Sequence, residues 1–461
     1  MIIDNNTVVA ANRFGLGARP GELSVISGNT REWLAGQISN NHAVPDSIKE
    51  LPDSKKVASS FIKFRQLRMQ TLREDDSKDA MKALYRKNYS PASIYFRHVM
   101  ARSIYAVTTV TPFHERLIQF WSNHFAVSNN TAKSMGLAGP FEVEAIRPNI
   151  CGHFFDLLLA VEQHPAMLTF LNNDVSIGPD SRFAERRRNR KFGINENLGR
   201  EMMELHTLGV NGGYTQADVI EVAKAITGWG VGGPPLNRKI TPGIFYFNEF
   251  IHEPGPRTIL GKAYPEDGVR QGEAVIRDLA RHPSTAKHIA TKLVRHFVSD
   301  DPPSACVDRV AGVFLDTEGH LPSVYKALID SEEAWRDVRG KYKTPQDLIY
   351  SSFRALNYVP RNPWQFLRDF RVLGQNLWQP GSPAGWPDTE AAWAGSDSLY
   401  TRLEYASMMA DRIGSRLDPE YLAASVLGPT VSSHTSRVVR QAESTQQGVA
   451  LLLSSPEFQR R

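Results

Sequence analysis

Two polar side chains in this sequence fall where a helix should be apolar. In "NENLGREMMELHTLGVNGGYTQADV", residues 195–219, Asn195 reads as a helix start and Gly209 as a helix stop. Advancing about 100° per residue gathers Leu198, Met202, Leu205, Leu208 and Gly209 on one side, with Glu196, Arg200, Glu204 and Thr207 opposite. Glu201 then falls inside the apolar arc and His206 at its border. In "TPFHERLIQFWSNHFAVS", residues 111–128, Thr111 and Pro112 open a helix. Phe113, Leu117, Phe120, Trp121 and Phe125 form its apolar face, His124 lands near the middle of that face, and Arg116 and Asn123 lie along one edge.

A carboxylate or an imidazole buried alone is costly, so each needs a partner. The expectation is that Glu201 and His124 meet, their polar atoms about 3–5 Å apart. Glu201 would be an acid/base group or metal ligand, with His124 its partner. Arg116 would bind or orient an anion, and His206 would be a ligand or a support behind the first two. A carboxylate with imidazoles suits a divalent metal, although no spacing here is a recognised metal signature. The structural alternative is that these groups are satisfied core residues, as many buried ionisable groups are.

A second candidate is the run "ERRRNRK", residues 185–191, the one concentrated positive patch. Arg186, Arg187, Arg188 and Arg190 lie just upstream of Asn195, where a helix N-terminus offers free N–H groups. An anionic ligand is expected there, unless the run is a solvated loop. It lacks the interleaved aromatics of a nucleic-acid groove, and a net charge of +5 on 461 residues is far from a nucleic-acid binder's density, so nucleic acid is not expected. Glu249 and His252 stand three apart, but "FNEFIHEPG" reads as strand and turn, which weakens a metal reading. His164 and His282 each precede a proline and read as helix-end residues.

The elements that must position these groups are mostly helices. Helical periodicity dominates, while "GWGVGGPPLNRKITPGIFYFNEFIHEPGPRTILGKAY" is rich in Gly and Pro. The chain divides into an N-terminal helical segment (1–92), a central helical block (93–230), a loop-rich insertion (231–267) and a C-terminal helical region (268–461). The fold class expected is mainly α, a multi-helix body with a Gly/Pro-rich loop or small β-hairpin near 230–265. Two cysteines, Cys151 and Cys306, make neither a disulfide framework nor a zinc cluster. No apolar run reaches transmembrane length, and the first residues lack the pattern of a signal peptide, which reads as cytoplasmic.

"RFGLGARPGE", "ERLIQFWSNHFAVS", "HPAMLTFLNN", "NENLGREMMELHTLGVNGGYTQADV", "AITGW", "HEPGPRTILG", "KLVRHFV" and "GWPD", in this order, resemble the bacterial domain of unknown function 1800 family over nearly the whole chain. The resemblance implies a bacterial protein without an assigned activity. It also implies a neighbouring protein of the domain of unknown function 1501 family as a partner, and leaves a periplasmic or exported location open. Two functions follow: from the residues, an enzyme with a buried Glu/His pocket acting on an anionic or polymeric substrate; or a non-catalytic helical scaffold or accessory protein, for which the resemblance implies an export or envelope-associated partner. In the second, the exposed aromatic loops expected around Trp229 and Trp386 would matter more than Glu201.

Overall fold

The computed structural model describes residues 3–39, 42, 44–74, 77–130, 134–187, 189–234, 236–336 and 340–461. Helices form where apolar residues recur at helical spacing and stop where caps intervene. The long charged helix α1 (Ser54–Glu74) buries only Ser54, Val57 and Phe64 and leaves its mixed charges in water. Helix α2 (Pro91–Thr108) starts on Ser90, whose hydroxyl accepts from the N–H of Ser93, with Pro91 in the first turn.

Helix α3 (Pro112–His124) departs from the expected amphipathic pattern: nearly every residue is buried, the polar Glu115, Arg116 and Gln119 included. It is a central helix, so its polar groups are answered by neighbours. Gln37 caps its start by accepting from Phe113 N. Arg147 takes Glu115 through two 2.8 Å bonds, and Asp347 takes Arg116. The apolar run 155–168 splits into α4 (Phe154–Glu162) and α5 (Pro165–Phe170). Between them His164 accepts from the N–H of Ala166, so this histidine is a helix cap.

The quoted segment is shorter and more irregular than its periodicity suggests. Helix α6 (Asn197–Glu201) runs directly into a π-helical turn, Met202–His206. A π turn inserts one extra residue and rotates everything after it. Met203 and His206 therefore turn into the core, while Glu204 and Leu205 are only half-buried. Glu201 sits half-buried at the edge, because the regular helix on which the arc was drawn ends there. Helix α7 (Gln216–Ala225) opens with a reciprocal cap between Thr215 and Asp218.

The Gly/Pro-rich stretch holds two short antiparallel hairpins, β1 (Trp229–Val231) with β2 (Phe245–Phe247), and β3 (Arg257–Ile259) with β4 (Lys262–Tyr264). Leu260 and Gly261 join β3 to β4 with φ of 50° and 75°, the left-handed pair that a tight hairpin turn demands. The C-terminal region packs α8 (Val269–Arg281), α9 (Pro283–Phe297), α10 (Ser304–Asp316) and α11 (Leu321–Asp330) in sequence. It continues with α12 (Pro345–Ala355), α13 (Ser396–Ile413) and α14 (Thr445–Ser454). His282 caps α9 as His164 caps α5. One apolar cluster draws on residues from Val8 to Phe458. Among the described residues no helix is long and apolar enough to cross a membrane.

Candidate functional site

On α9, Lys292, Arg295 and His296 share an edge at helical spacing, beside the buried stripe of Ile289, Leu293 and Phe297. That edge forms one wall of a cavity of about 210 Å³. Asn123 and His124, at the end of α3, form a second wall. Asp347 of α12 and the loop carrying Trp386 and Asp388 complete it.

The loop is locked to α3 by local chemistry. Gly385 has φ of 83°, and a Cβ there would lie 2.3 Å from the carbonyl oxygen of Asn123, so the position requires glycine. The Asn123 side chain then pairs with the next residue in both directions. Trp386 N donates to its Oδ1 at 2.8 Å, and its Nδ2 donates to Trp386 O at 2.9 Å. Two residues later Asp388 reaches His296, Oδ2 to Nδ1, at 2.6 Å.

This pair is electrostatically poised. Burial alone would raise Asp388, but His296, Lys341 and Arg461 outweigh it and hold the carboxyl at about 2. Burial lowers His296 in spite of Asp388, which favours the neutral imidazole. An ionised carboxylate can only accept, so it fixes the proton on Nδ1 and leaves the lone pair on Nε2. Among the described residues that Nε2 has no hydrogen-bond partner.

A charged layer supports the cavity. Asp347 receives Arg116 at 2.9 Å and Arg461 at 3.0 Å, and these guanidinium groups overcome burial and hold it well below the usual carboxylate range. Arg116 also donates to Gly15 O at 2.5 Å. Lys341 pairs with Asp300 and donates to Asp388 O.

The residues singled out in sequence separate into three places. His124 stands on the cavity wall, and Arg116 lies beneath it. The Nε2 of His124 bonds to the carbonyl oxygen of His206 at 3.2 Å, and its Nδ1 is unpartnered among the described residues. Burial first, then Lys292 and His288, pushes His124 well below its ordinary value. His206 itself turns to Glu162, Nδ1 to Oε1 at 2.6 Å, both fully buried. No hydrogen bond or ion pair joins Glu201 to His124 among the described residues. Burial raises Glu201, with the charge of Glu204 adding to it.

Arg186, Arg187 and Arg190 are exposed, and Arg188 lies outside the described residues. Arg186 stacks over Phe250 and Arg187 over Phe183, aromatic contacts the linear sequence did not reveal. Asn195 accepts from Asn197 N, which uses one free donor of the short α6 helix. Glu249 pairs with Arg182 and His252 with Thr227 O, so these two do not converge. Among the described residues no three His, Cys, Asp or Glu side chains gather as the ligands of a zinc-type site would.

His296, Asp388, Lys292 and Asp347 were missed in sequence. The dyad partners stand 92 residues apart, one on an ordinary amphipathic helix and one in a loop, and no local pattern links them. The usable signals were three polar residues on one edge of "KLVRHF" and the turn-forming "GWPD".

A rival cluster has a different logic. Ser54 Oγ lies 3.3 Å and Glu144 Oε2 3.1 Å from His164 Nε2. His164 Nδ1 already accepts a backbone N–H, so Nε2 carries the proton and cannot take one from the serine.

No curated protein and no solved structure matches the chain. The family model described as Protein of unknown function (DUF1800) matches residues 9–460, which takes in the α3 wall, the α9 edge and the 385–388 loop alike, and the chain belongs to that family.

Proposed function

We propose that the chain is an enzyme that moves a proton on a substrate held in the cavity between α3, α9 and the 385–388 loop. His296 is the acid/base group and Asp388 its orienting partner. The observation that carries this reading is the pair itself. One imidazole nitrogen is fixed at 2.6 Å by a carboxylate held ionised, and the other is unpartnered, on a residue lining a cavity. In this reading His124 faces the substrate from the second wall. Arg116 acts through Asp347, His206 holds His124 by its carbonyl oxygen, and Glu201 stands outside the reacting centre.

The test is turnover by the purified chain on a panel of esters, phosphate esters and sugar acids, beside His296→Gln and Asp388→Asn. General acid/base groups contribute about 10²–10⁴-fold. A loss of that size in His296→Gln, with an unchanged melting temperature, is expected. Equal turnover in wild type and His296→Gln sinks the assignment.

The scaffold reading does not rest on Trp229, which is fully buried, and draws on a different observation. Leu399, Tyr400 and Leu403 on α13 are 47%, 65% and 52% exposed and form an apolar strip. A partner such as a protein of the domain of unknown function 1501 family would cover it. Leu403→Asp should then abolish co-purification with that partner while leaving His296-dependent turnover intact.

A further inference from the structure

The two acids on the cavity wall are already engaged. Asp347 serves Arg116 and Arg461, and Asp388 serves His296, Lys341 and Arg461. Lys292 and Arg295 line the same cavity and have no carboxylate partner among the described residues. They stand three residues apart on one helix edge. The charges around Lys292 are Arg295 and His288 on its own helix, His124 from α3 and Asp388 from the loop. The wall thus holds two cations three residues apart, neither in an ion pair among the described residues.

We infer that Lys292 and Arg295 form a clamp for an oxyanion, so that the substrate is a small molecule, or the end of a larger one, bearing a phosphate or carboxylate group beside His296. This rests on the reading of the cavity as the reacting centre. The size agrees: about 210 Å³ is below the roughly 300–1,000 Å³ of pockets for drug-sized ligands, and admits one small anionic group with its neighbours, not a stretch of polymer. The protonation chemistry agrees as well. Burial lowers Lys292 to about 8, with Arg295 adding to it and Asp388 opposing. An anion bound there favours the ammonium form, so binding draws in a proton.

The experiment is isothermal calorimetry on the full chain at pH 8 and low ionic strength. Sulfate, inorganic phosphate and acetate are titrated in two buffers of different ionisation enthalpy. Expected are saturable binding of at least one oxyanion and uptake on the order of half a proton per sulfate. Lys292→Met and Arg295→Gln should each weaken binding about ten- to hundred-fold, the loss of one charge-assisted contact, and Lys292→Met should abolish the proton uptake. Tetrahedral anions binding more tightly than acetate would assign a phosphate-type group, and the reverse a carboxylate.

No oxyanion binding by the wild type overturns the clamp, as does affinity unchanged in both variants. Loss of binding in Arg186→Ser/Arg187→Ser instead would place the anion on the exposed basic run and overturn it too. If Lys292→Met does not fold, Arg295→Gln alone decides. Sulfate binding that survives in His296→Gln, without His296-dependent turnover, would keep the clamp and remove the catalytic reading. Turnover without anion binding would do the opposite.

Discussion

At the scale of single residues, the unusual feature is how much charge is placed out of water and how unevenly it is answered. Arg116, Asp347 and Arg461 answer one another, whereas the Lys343 ammonium sits over the Phe458 ring without a hydrogen-bond partner among the described residues. Burial pushes Lys343 down to about 7, against the pull of Asp347. Below about pH 7 the group is charged both folded and unfolded, and the folded chain bears the whole cost of its burial. Between that value and the ordinary lysine value, the folded state gives up the proton while the unfolded state keeps it, so stability rises with pH across this window. Lys343→Met should therefore raise stability by about 1–4 kcal/mol, the range seen when buried charges become apolar. The gain should be largest at pH 6 and shrink toward pH 10, as denaturant melts at the two pH values would measure. A variant less stable than wild type at pH 6 would mean the ammonium is better satisfied than its contacts indicate.

At the scale of elements, the site depends on two irregularities, the 385–388 loop and the π turn after α6. Gly385→Ala would press a methyl group against the Asn123 carbonyl in a left-handed backbone. A loss of about 1–3 kcal/mol is expected, as for other overpacked positions. The histidine signals of His296 in an NMR titration should shift as Asp388 moves away. A wild-type melt together with an unchanged His296 titration would show that the loop does not need its glycine.

These irregularities also mark where the sequence stops being readable. The helical class, the cap at Thr215, the proline start at Pro112, and the helix-end places of His164 and His282 follow from spacing and local chemistry, which act within a few residues. A π turn leaves no such local signature. It moved Leu205 outward and His206 inward, so the apolar arc drawn on both sides of Glu201 does not form. His206 found Glu162 instead, 44 residues earlier in the chain. The central burial of α3 was invisible for a related reason. Arg116 reads as an edge residue until Asp347 arrives from a distant element to pair with it. The burial of His124 on α3 was legible; its place beside Lys292 and His296 was not, because tertiary packing alone brings α9 to α3.

At the scale of the whole molecule, residues from far apart in the chain close the same charged layer. Tyr342 and Arg460 pair as a short antiparallel bridge, and Lys341 and Arg461 exchange backbone hydrogen bonds of 3.0 and 2.7 Å. That pairing delivers the Arg461 guanidinium to Asp347 and toward Asp388, while Arg13 donates to Ala334 O nearby. Arg461→Met should cost less than the about 3–5 kcal/mol typical of breaking a buried pair, because Asp347 keeps Arg116. It should also raise the apparent titration of Asp388, one of whose cations is gone, so the acid limb of the melting temperature should move to higher pH. An unchanged acid limb would show that Arg461 does not feel Asp388.

The same bridge has a consequence for synthesis. On a ribosome, the helices carrying His124 and His296 are finished long before Arg461 leaves the tunnel. Until it does, Asp347 and Asp388 face the forming cavity with part of their positive charge missing, and the strand segment at 341–343 has an open edge. The cavity is therefore completed only once Arg461 has left the tunnel, and a nascent chain stalled before that point holds His296 without its finished surroundings.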